Sequence, residues 1–183
     1  RDRYKPKLLV ELGSHTGNSY FTFCQATKMY NPEGRCFAID TWAGDQHAGH
    51  YSNQVFENVD KHNENNYKSF SKLMKKTFDD AVLEFPDSSI DLLHIDGLHT
   101  FDAVEHDYKT WRAKLSPDAI VLFHDISVFN NDFGVWKFWN AIKRTNKNHF
   151  EFNHSNGLGV LQLESSNTDR LLPIFKFTTQ EAT

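Results

Sequence analysis

The 183-residue sequence has only two cysteines, Cys24 and Cys36. That is too few for a disulfide framework, and their spacing is not that of a zinc site. Cys24 falls in a helical pattern and Cys36 in a strand pattern, so both are expected as buried, reduced thiols. Basic charge is not in excess: 20 Lys and Arg face 24 Asp and Glu, a formal charge of −4 with a pI near 6.2. This balance argues against a nucleic-acid partner or a polybasic membrane surface. No apolar run reaches the roughly 18–20 residues of a membrane span, and no signal-peptide pattern opens the chain. A cytoplasmic location is therefore expected. With 5 Pro and 9 Gly the sequence is neither collagen-like nor of low complexity.

Its length suits one domain. The sequence does not begin with Met, and only Arg1 to Pro6 precede a strand-like LLVEL, which reads as a domain cut from a longer chain. Aromatic residues are abundant at 14%, with 16 Phe, 6 Tyr and 4 Trp. Such rings supply core area and also suit flat ligands.

Hydrophobic periodicity alternates short apolar runs with amphipathic stretches. Strands are expected at Leu8 to Leu12, Cys36 to Asp40, Ile90 to Ile95 and Ala119 to Phe123, with a short edge strand at Ser71 to Lys75. Helices are expected over Asn18 to Tyr30, Ser52 to Lys61 and Asp79 to Phe85. Another starts at Phe101 behind a Thr100 cap, and one carries Val135, Trp136, Phe138, Trp139 and Ile142 on its apolar face, against the sheet. Two final strands, Phe150 to Asn153 and Leu158 to Leu163, flank a turn at Ser155-Asn156-Gly157. The fold class is α/β: a Rossmann-like, doubly wound, mostly parallel seven-stranded sheet with a C-terminal antiparallel hairpin strand. Residues 1–164 form the domain and 165–183 a tail. Ligands of such sheets bind beyond the carboxyl ends of the strands.

Strand one runs into Glu11-Leu-Gly13-Ser14-His15-Thr16-Gly17, a glycine turn that opens a helix and lets backbone approach a ligand. Asp40 ends strand two, 23 residues beyond Gly17, where an acidic side chain can take ribose hydroxyls. Together these read as an adenosine-type site, without the full dinucleotide fingerprint or a P-loop. Asp96 ends the Ile90 strand and His124-Asp125 the neighbouring one, so Asp96 and Asp125 should converge. Two anionic carboxylates this close need a proton or cation between them. His99, three residues past Asp96, can accept a hydroxyl proton near neutral pH, or act as a further metal ligand or loop-ordering donor. His94 points the other way and is expected as a satisfied core histidine. The loop Thr41 to Tyr51 offers Asp45, His47, His50 and Tyr51 beside this edge.

Glu11-x-Gly13-x-x-x-Gly17 with Asp40 resembles motifs I and II of class I S-adenosylmethionine-dependent methyltransferases. The resemblance continues through IDLLHIDGLHT, DYKTW, VLFHD, Phe133-Gly-Val-Trp136 and Gly157-Leu-Gly-Val, and covers residues 7 to 163. As a set, these motifs are similar to a methyltransferase family found fused to glycosyltransferases in glycan assembly. Cephalosporin-hydroxylase-like and rhamnosyl O-methyltransferases are more distant relatives of that family. His15 departs from the general motif, where many members carry glycine.

The resemblance implies S-adenosyl-L-methionine as cofactor, held by Glu11, Gly13, Ser14, Gly17, Asp40, Trp42, Thr77, Phe78 and Asp96. It implies a divalent metal on Asp96, His124 and Asp125. Mg or Mn is expected first, although an imidazole ligand also suits Fe or Zn. Catalysis falls to Asp96 and His99, with His47, Tyr51 and His99 toward the acceptor. The implied reaction is metal-assisted methylation of a sugar hydroxyl of a glycan, with glycosyltransferase domains as partners in the same chain. A nicotinamide-dependent oxidoreductase and a non-catalytic nucleotide-binding module are the alternatives.

Overall fold

The computed structural model describes residues 4–130 and 132–163. The strands are β1 (Leu8–Leu12), β2 (Arg35–Asp40), β3 (Gly44–Asp45), β4 (Gly49–His50), β5 (Ser71–Lys75), β6 (Ile90–Ile95), β7 (Leu115–His124), β8 (His149–Phe152) and β9 (Leu158–Gln162). The helices are α1 (Asn18–Tyr30), α2 (Asn53–Asn66), α3 (Phe78–Ala81), α4 (Phe101–Trp111) and α5 (Val135–Ile142). Seven strands make one sheet in the order β5-β2-β1-β6-β7-β9-β8. The first five in that order run parallel, and β9 lies antiparallel between β7 and β8. The Rossmann-like, doubly wound, mostly parallel sheet with a C-terminal antiparallel strand expected from the element order is the one adopted.

Strand alternation sorts the core onto the two faces of the sheet. Val10, Leu12, Leu93, Ile95, Val121 and Phe123 pack against Val104 and Trp111 of α4 and Phe138 and Trp139 of α5. Leu9, Cys36 and Ala38 pack on the other face with Tyr20 and Cys24 of α1 and Val59 of α2. Both cysteines are free and fully buried, as expected. Burying each large aliphatic or aromatic side chain contributes roughly 1.5–3 kcal/mol. Gly159 on β9 gives Trp139 its place: a Cβ there would stand 2.8 Å from the indole. Trp136, expected against the sheet, instead lies beside Phe129 and donates its Nε1–H to the Phe133 carbonyl.

Several element bounds differ from expectation for identifiable reasons. α2 continues beyond Lys61 to Asn66 because Asn63 is buried and accepts a hydrogen bond from the Ser71 hydroxyl. The Asp79 to Phe85 helix is instead the short α3, capped by Thr77, followed by a single 3-10 turn over Val82–Glu84. β7 starts four residues earlier than the apolar run that announced it. Within the loop Thr41 to Tyr51, β3 and β4 form a small hairpin. The expected tail, 165–183, lies outside the described residues.

Asp107 sits in α4, 7% exposed, with its Oδ2 3.3 Å from where a Gly97 Cβ would be. Burial raises its pKa to about 7, with His106 opposing and Asp79 adding to the rise. Between the unfolded value near 4 and about 7, the folded state holds a proton that the unfolded chain has released. Stability from this group therefore falls as pH rises through that window. Asp107→Asn is expected to raise the melting temperature at pH 8 and to leave it nearly unchanged at pH 3.5. Paired thermal melts at the two pH values check this.

Candidate active site

The turn after β1 is pressed onto the neighbouring strand. Gly13 has φ +84, and a Cβ on it would lie 2.1 Å from the Asp96 carbonyl oxygen, so only glycine fits. Asp40 fastens the same turn from the other side. Its Oδ2 accepts the Ser14 and His15 N–H groups, both at 2.9 Å, and its Oδ1 accepts the Trp42 N–H at 2.7 Å. Three backbone donors thus use three of the roughly four acceptor positions of this carboxylate, leaving capacity for about one more donor. α1 starts at Gly17, φ +82, without a side-chain cap or an acidic residue in its first turn. Its leading N–H groups therefore present the positive end of the helix toward the turn.

A cavity of about 810 Å³ opens beyond these strand ends. Gly13, Ser14, Asp40, Thr77 and Phe78 line one end, with Asp96, His99, His124 and Asp125 at the other and Tyr51 also on the wall. The Ser14 hydroxyl is buried without a hydrogen-bond partner, which suits a polar ligand group. Thr77 both lines the cavity and caps α3 by accepting the Asp80 N–H. His15, in left-handed backbone at φ +44, stacks on Tyr51 with ring centroids 4.3 Å apart. Burial, followed by Asp40, Asp45 and Asp96, pushes the Tyr51 hydroxyl up to about 12.

The acidic end is a tight cluster. β6 and β7 pair in register at Ile95 and Phe123, which sets Asp96 and His124 side by side. Asp125, at φ +62, turns back so that its carboxylate joins them. His99 Nε2 lies 2.9 Å from Asp125 Oδ2 and 3.5 Å from Asp96 Oδ1. His124 Nδ1 lies 3.0 Å from Asp125 Oδ1 and 3.3 Å from Asp96 Oδ1. Burial lowers the His99 pKa, but contact with Asp125 and Asp96 outweighs it and holds the value at about 9. Asp125 and then Asp96 raise His124 to about 10. Burial works to raise both carboxyls, yet the imidazoles drive them well below the usual range.

One ligand atom from each of Asp96, His124 and Asp125 falls within 4.8 Å of the others, the arrangement of a small cation site. The donor set fits: His124 Nδ1 and Asp125 Oδ1 are buried without a well-directed hydrogen bond. Two carboxylates and an imidazole suit a divalent metal of the Mn or Fe type as well as Mg.

Above this cluster, the β3–β4 hairpin reaches across to the segment before α5. His47 Nε2 pairs with Asp132 Oδ1 at 2.7 Å. Both His47 and His99 stack on Phe133, with centroids 4.6 and 4.8 Å away and planes within 13° and 9°. Phe133 is itself anchored by a bridge to Thr100 and by the Gly134 N–H donating to the His99 carbonyl at 2.7 Å. The plane of the His99 ring is therefore fixed by Phe133 and its edge by Asp125.

Four expected site residues lie off the cavity wall. Glu11 shares a sheet face with Leu9 rather than with the cavity, is fully buried, and places Oε2 2.8 Å from His94 Nδ1. His94 is thus the satisfied core histidine that strand parity predicts. Trp42, at φ +49, folds its ring against Phe56, and its Nε1–H donates to the His15 carbonyl at 2.8 Å. Gly17 faces a groove between α1 and α2, and His47 belongs to the roof. Glu11 and Trp42 therefore brace the turn from behind. Asp45 lines the cavity from the loop expected beside this edge, and, among residues not anticipated as ligand contacts, His15 lines it and Phe133 carries the His99 ring. His15 had a signal, as the departure from glycine in the turn, and Phe133 had none beyond its place in FGVW.

Asp40→Ala is expected to weaken S-adenosylhomocysteine binding ~10–100-fold, the loss of charged hydrogen bonds to the turn. Asp40→Asn, which retains an acceptor oxygen, should weaken it less. Titration calorimetry on both variants checks the order.

The profile of a methyltransferase-domain family matches residues 10–126, which contain the turn, Asp40 and the acidic cluster. Protein y4gI of Sinorhizobium fredii, itself described as uncharacterized, is 42% identical over 175 residues, 96% of this chain. The chain spans only 19% of that protein's length. Among solved structures, the SAH-bound methyltransferase PaMTH1 of Podospora anserina aligns with a TM-score of 0.65 at 14% identity, over 87% of this chain and 73% of that one. The SAH-bound O-methyltransferase of Bacillus cereus gives 0.65 at 11%, over 87% and 74%. A putative caffeoyl-CoA O-methyltransferase of Staphylococcus aureus gives 0.65 at 10%, over 87% and 77%. These likenesses establish the fold, and the family match over residues 10–126, which span the turn and the strand ends, establishes that the chain belongs to the methyltransferase-domain family.

Proposed function

We propose that the protein transfers the methyl group of S-adenosyl-L-methionine to a hydroxyl oxygen of a saccharide. The observation that carries the O-methyl reading is the convergence of Asp96, His124, Asp125 and His99 in the cavity that begins at Gly13 and Asp40. A cofactor lying along the cavity would have its adenosine end near Asp40, Thr77 and Phe78. The hydroxyl then lies toward His99. O-Methyltransferases of Bacillus cereus and Staphylococcus aureus share the fold.

Asp96, His124 and Asp125 are the residues that would hold a divalent cation, Mg or Mn first. When bound, it would lower the pKa of a coordinated hydroxyl and offset the negative charge that now keeps a proton on His99. His99 orients toward the hydroxyl and takes its proton once the ring is neutral. Phe133 fixes that ring, and Tyr51 and His47 border the acceptor end. The saccharide assignment rests on the resemblance to methyltransferases fused with glycosyltransferases. With only 19% of y4gI covered, we place residues 1–164 as one domain of a longer cytoplasmic chain carrying glycosyltransferase domains. No described helix is long and apolar enough to cross a membrane.

Incubation with labelled cofactor and a saccharide panel is expected to yield a methyl ether. EDTA or Asp125→Ala should abolish transfer while S-adenosylhomocysteine binding persists. Transfer that survives both treatments would rule out the cation. His99→Gln is expected to lower turnover ~10²–10⁴-fold with cofactor affinity nearly unchanged. An unaltered turnover would exclude His99 as proton acceptor.

A further inference from the structure

The cavity wall carries four aspartates, Asp40, Asp45, Asp96 and Asp125, and among the described residues no lysine or arginine lines it. The three imidazoles on the wall belong to His15, His99 and His124. One divalent cation on Asp96 and Asp125 would offset two of the four carboxylates, and the cofactor, whose sulfonium and ammonium exceed its carboxylate by one charge, would offset a third. One carboxylate then remains uncompensated, and Asp45 stands at the roofed end near Tyr51. Asp45 is a fixed part of that wall: its Oδ1 accepts the His47 and Ala48 N–H groups at 2.7 and 2.8 Å. The remaining polar groups suit hydroxyls rather than anions. His99 Nδ1 is buried and unpartnered, and it can donate to or accept from a hydroxyl.

We infer that this site selects uncharged polyhydroxyl acceptors and rejects acceptors with a carboxylate or phosphate beside the reacting hydroxyl. The inference rests on the O-methyl-transfer reading above and refines its acceptor class. An anion brought here loses its hydration and meets surplus negative charge without a lysine or arginine side chain to pair with. A neutral ring loses only hydroxyl hydration, which the imidazoles, Tyr51 and the aspartates can replace. Uronic acids and sugar phosphates are therefore poor acceptors.

The test compares kcat/KM within neutral and anionic pairs in two scaffolds, using labelled cofactor. One pair is a methyl hexoside and the matching methyl uronoside, and the other is catechol and 2,3-dihydroxybenzoate. The wild-type protein is expected to favour the neutral member about tenfold or more, since like-charge contact of this kind costs more than the ~1.4 kcal/mol of one decade. Asp45→Asn preserves the acceptor atom for the hairpin amides and should narrow the ratio about threefold or more. Asp45→Glu keeps the charge and should keep the ratio. Equal or preferential use of the anionic member, in whichever scaffold is methylated, overturns the inference, as does an Asp45→Asn ratio identical to wild type. Turnover of catechol alone, with the neutral member favoured, removes the saccharide reading and leaves the charge rule standing.

Discussion

Two carboxylates forced together at the ends of adjacent parallel strands govern the arrangement of this molecule. Asp96 and Asp125 would repel if left ionised and unaccompanied, and the His99 and His124 imidazoles meet that demand from both sides. The β6–β7 register fixes how close they come, since Ile95 pairs with Phe123 and the next residues are Asp96 and His124. The carbonyl of Asp96 also sets the limit for the glycine turn, where a side chain at position 13 has no space. A single residue therefore joins the glycine-turn end of the cavity to its acidic end. Displacing β6 relative to β1 or β7 would disturb both ends together.

Each end is braced differently. The turn at Gly13 is held by charge-assisted hydrogen bonds to Asp40, which stabilise a loop whose own residues include the strained His15. Behind it, Glu11 Oε2 pairs with His94 Nδ1 and the Trp42 indole donates to the His15 carbonyl, while Glu11 Oε1 is buried without a partner. The acidic end is held by stacking. Phe133 supports two imidazoles at once, and the anchors that fix Phe133 lie on the backbone of His99 and Thr100. This division leaves the roof dependent on few contacts, chiefly the His47 pair with Asp132 and the stack beneath it.

Much of this was legible in the sequence because strand ends and breakers carry their own chemistry. The expected bounds of α1, Asn18 to Tyr30, are those observed, and the alternation of apolar runs with helices announced the parallel sheet. The same logic located Asp40, Asp96, His99, His124 and Asp125. It failed where a polar residue does a core residue's work. Asn63 extends α2 through a stretch with no apolar period by accepting from Ser71 at the start of β5, a polar contact that hydrophobic periodicity does not register. Glu11 and Trp42 were misplaced for geometric reasons. Strand parity turns Glu11 toward α1, and a left-handed backbone at Trp42, rare for so large a side chain, folds its ring inward. The Phe133 platform depends on a contact between two loops that periodicity does not register.

The central claim is that Asp96, His124 and Asp125 form one cation site at the end of the cofactor cavity. Anomalous diffraction from crystals grown with Mn²⁺ and S-adenosylhomocysteine tests it most directly. One peak bonded to all three side chains, with the nucleoside beside Asp40, is the predicted result. A cavity that holds the nucleoside while manganese binds elsewhere, or not at all, would contradict it.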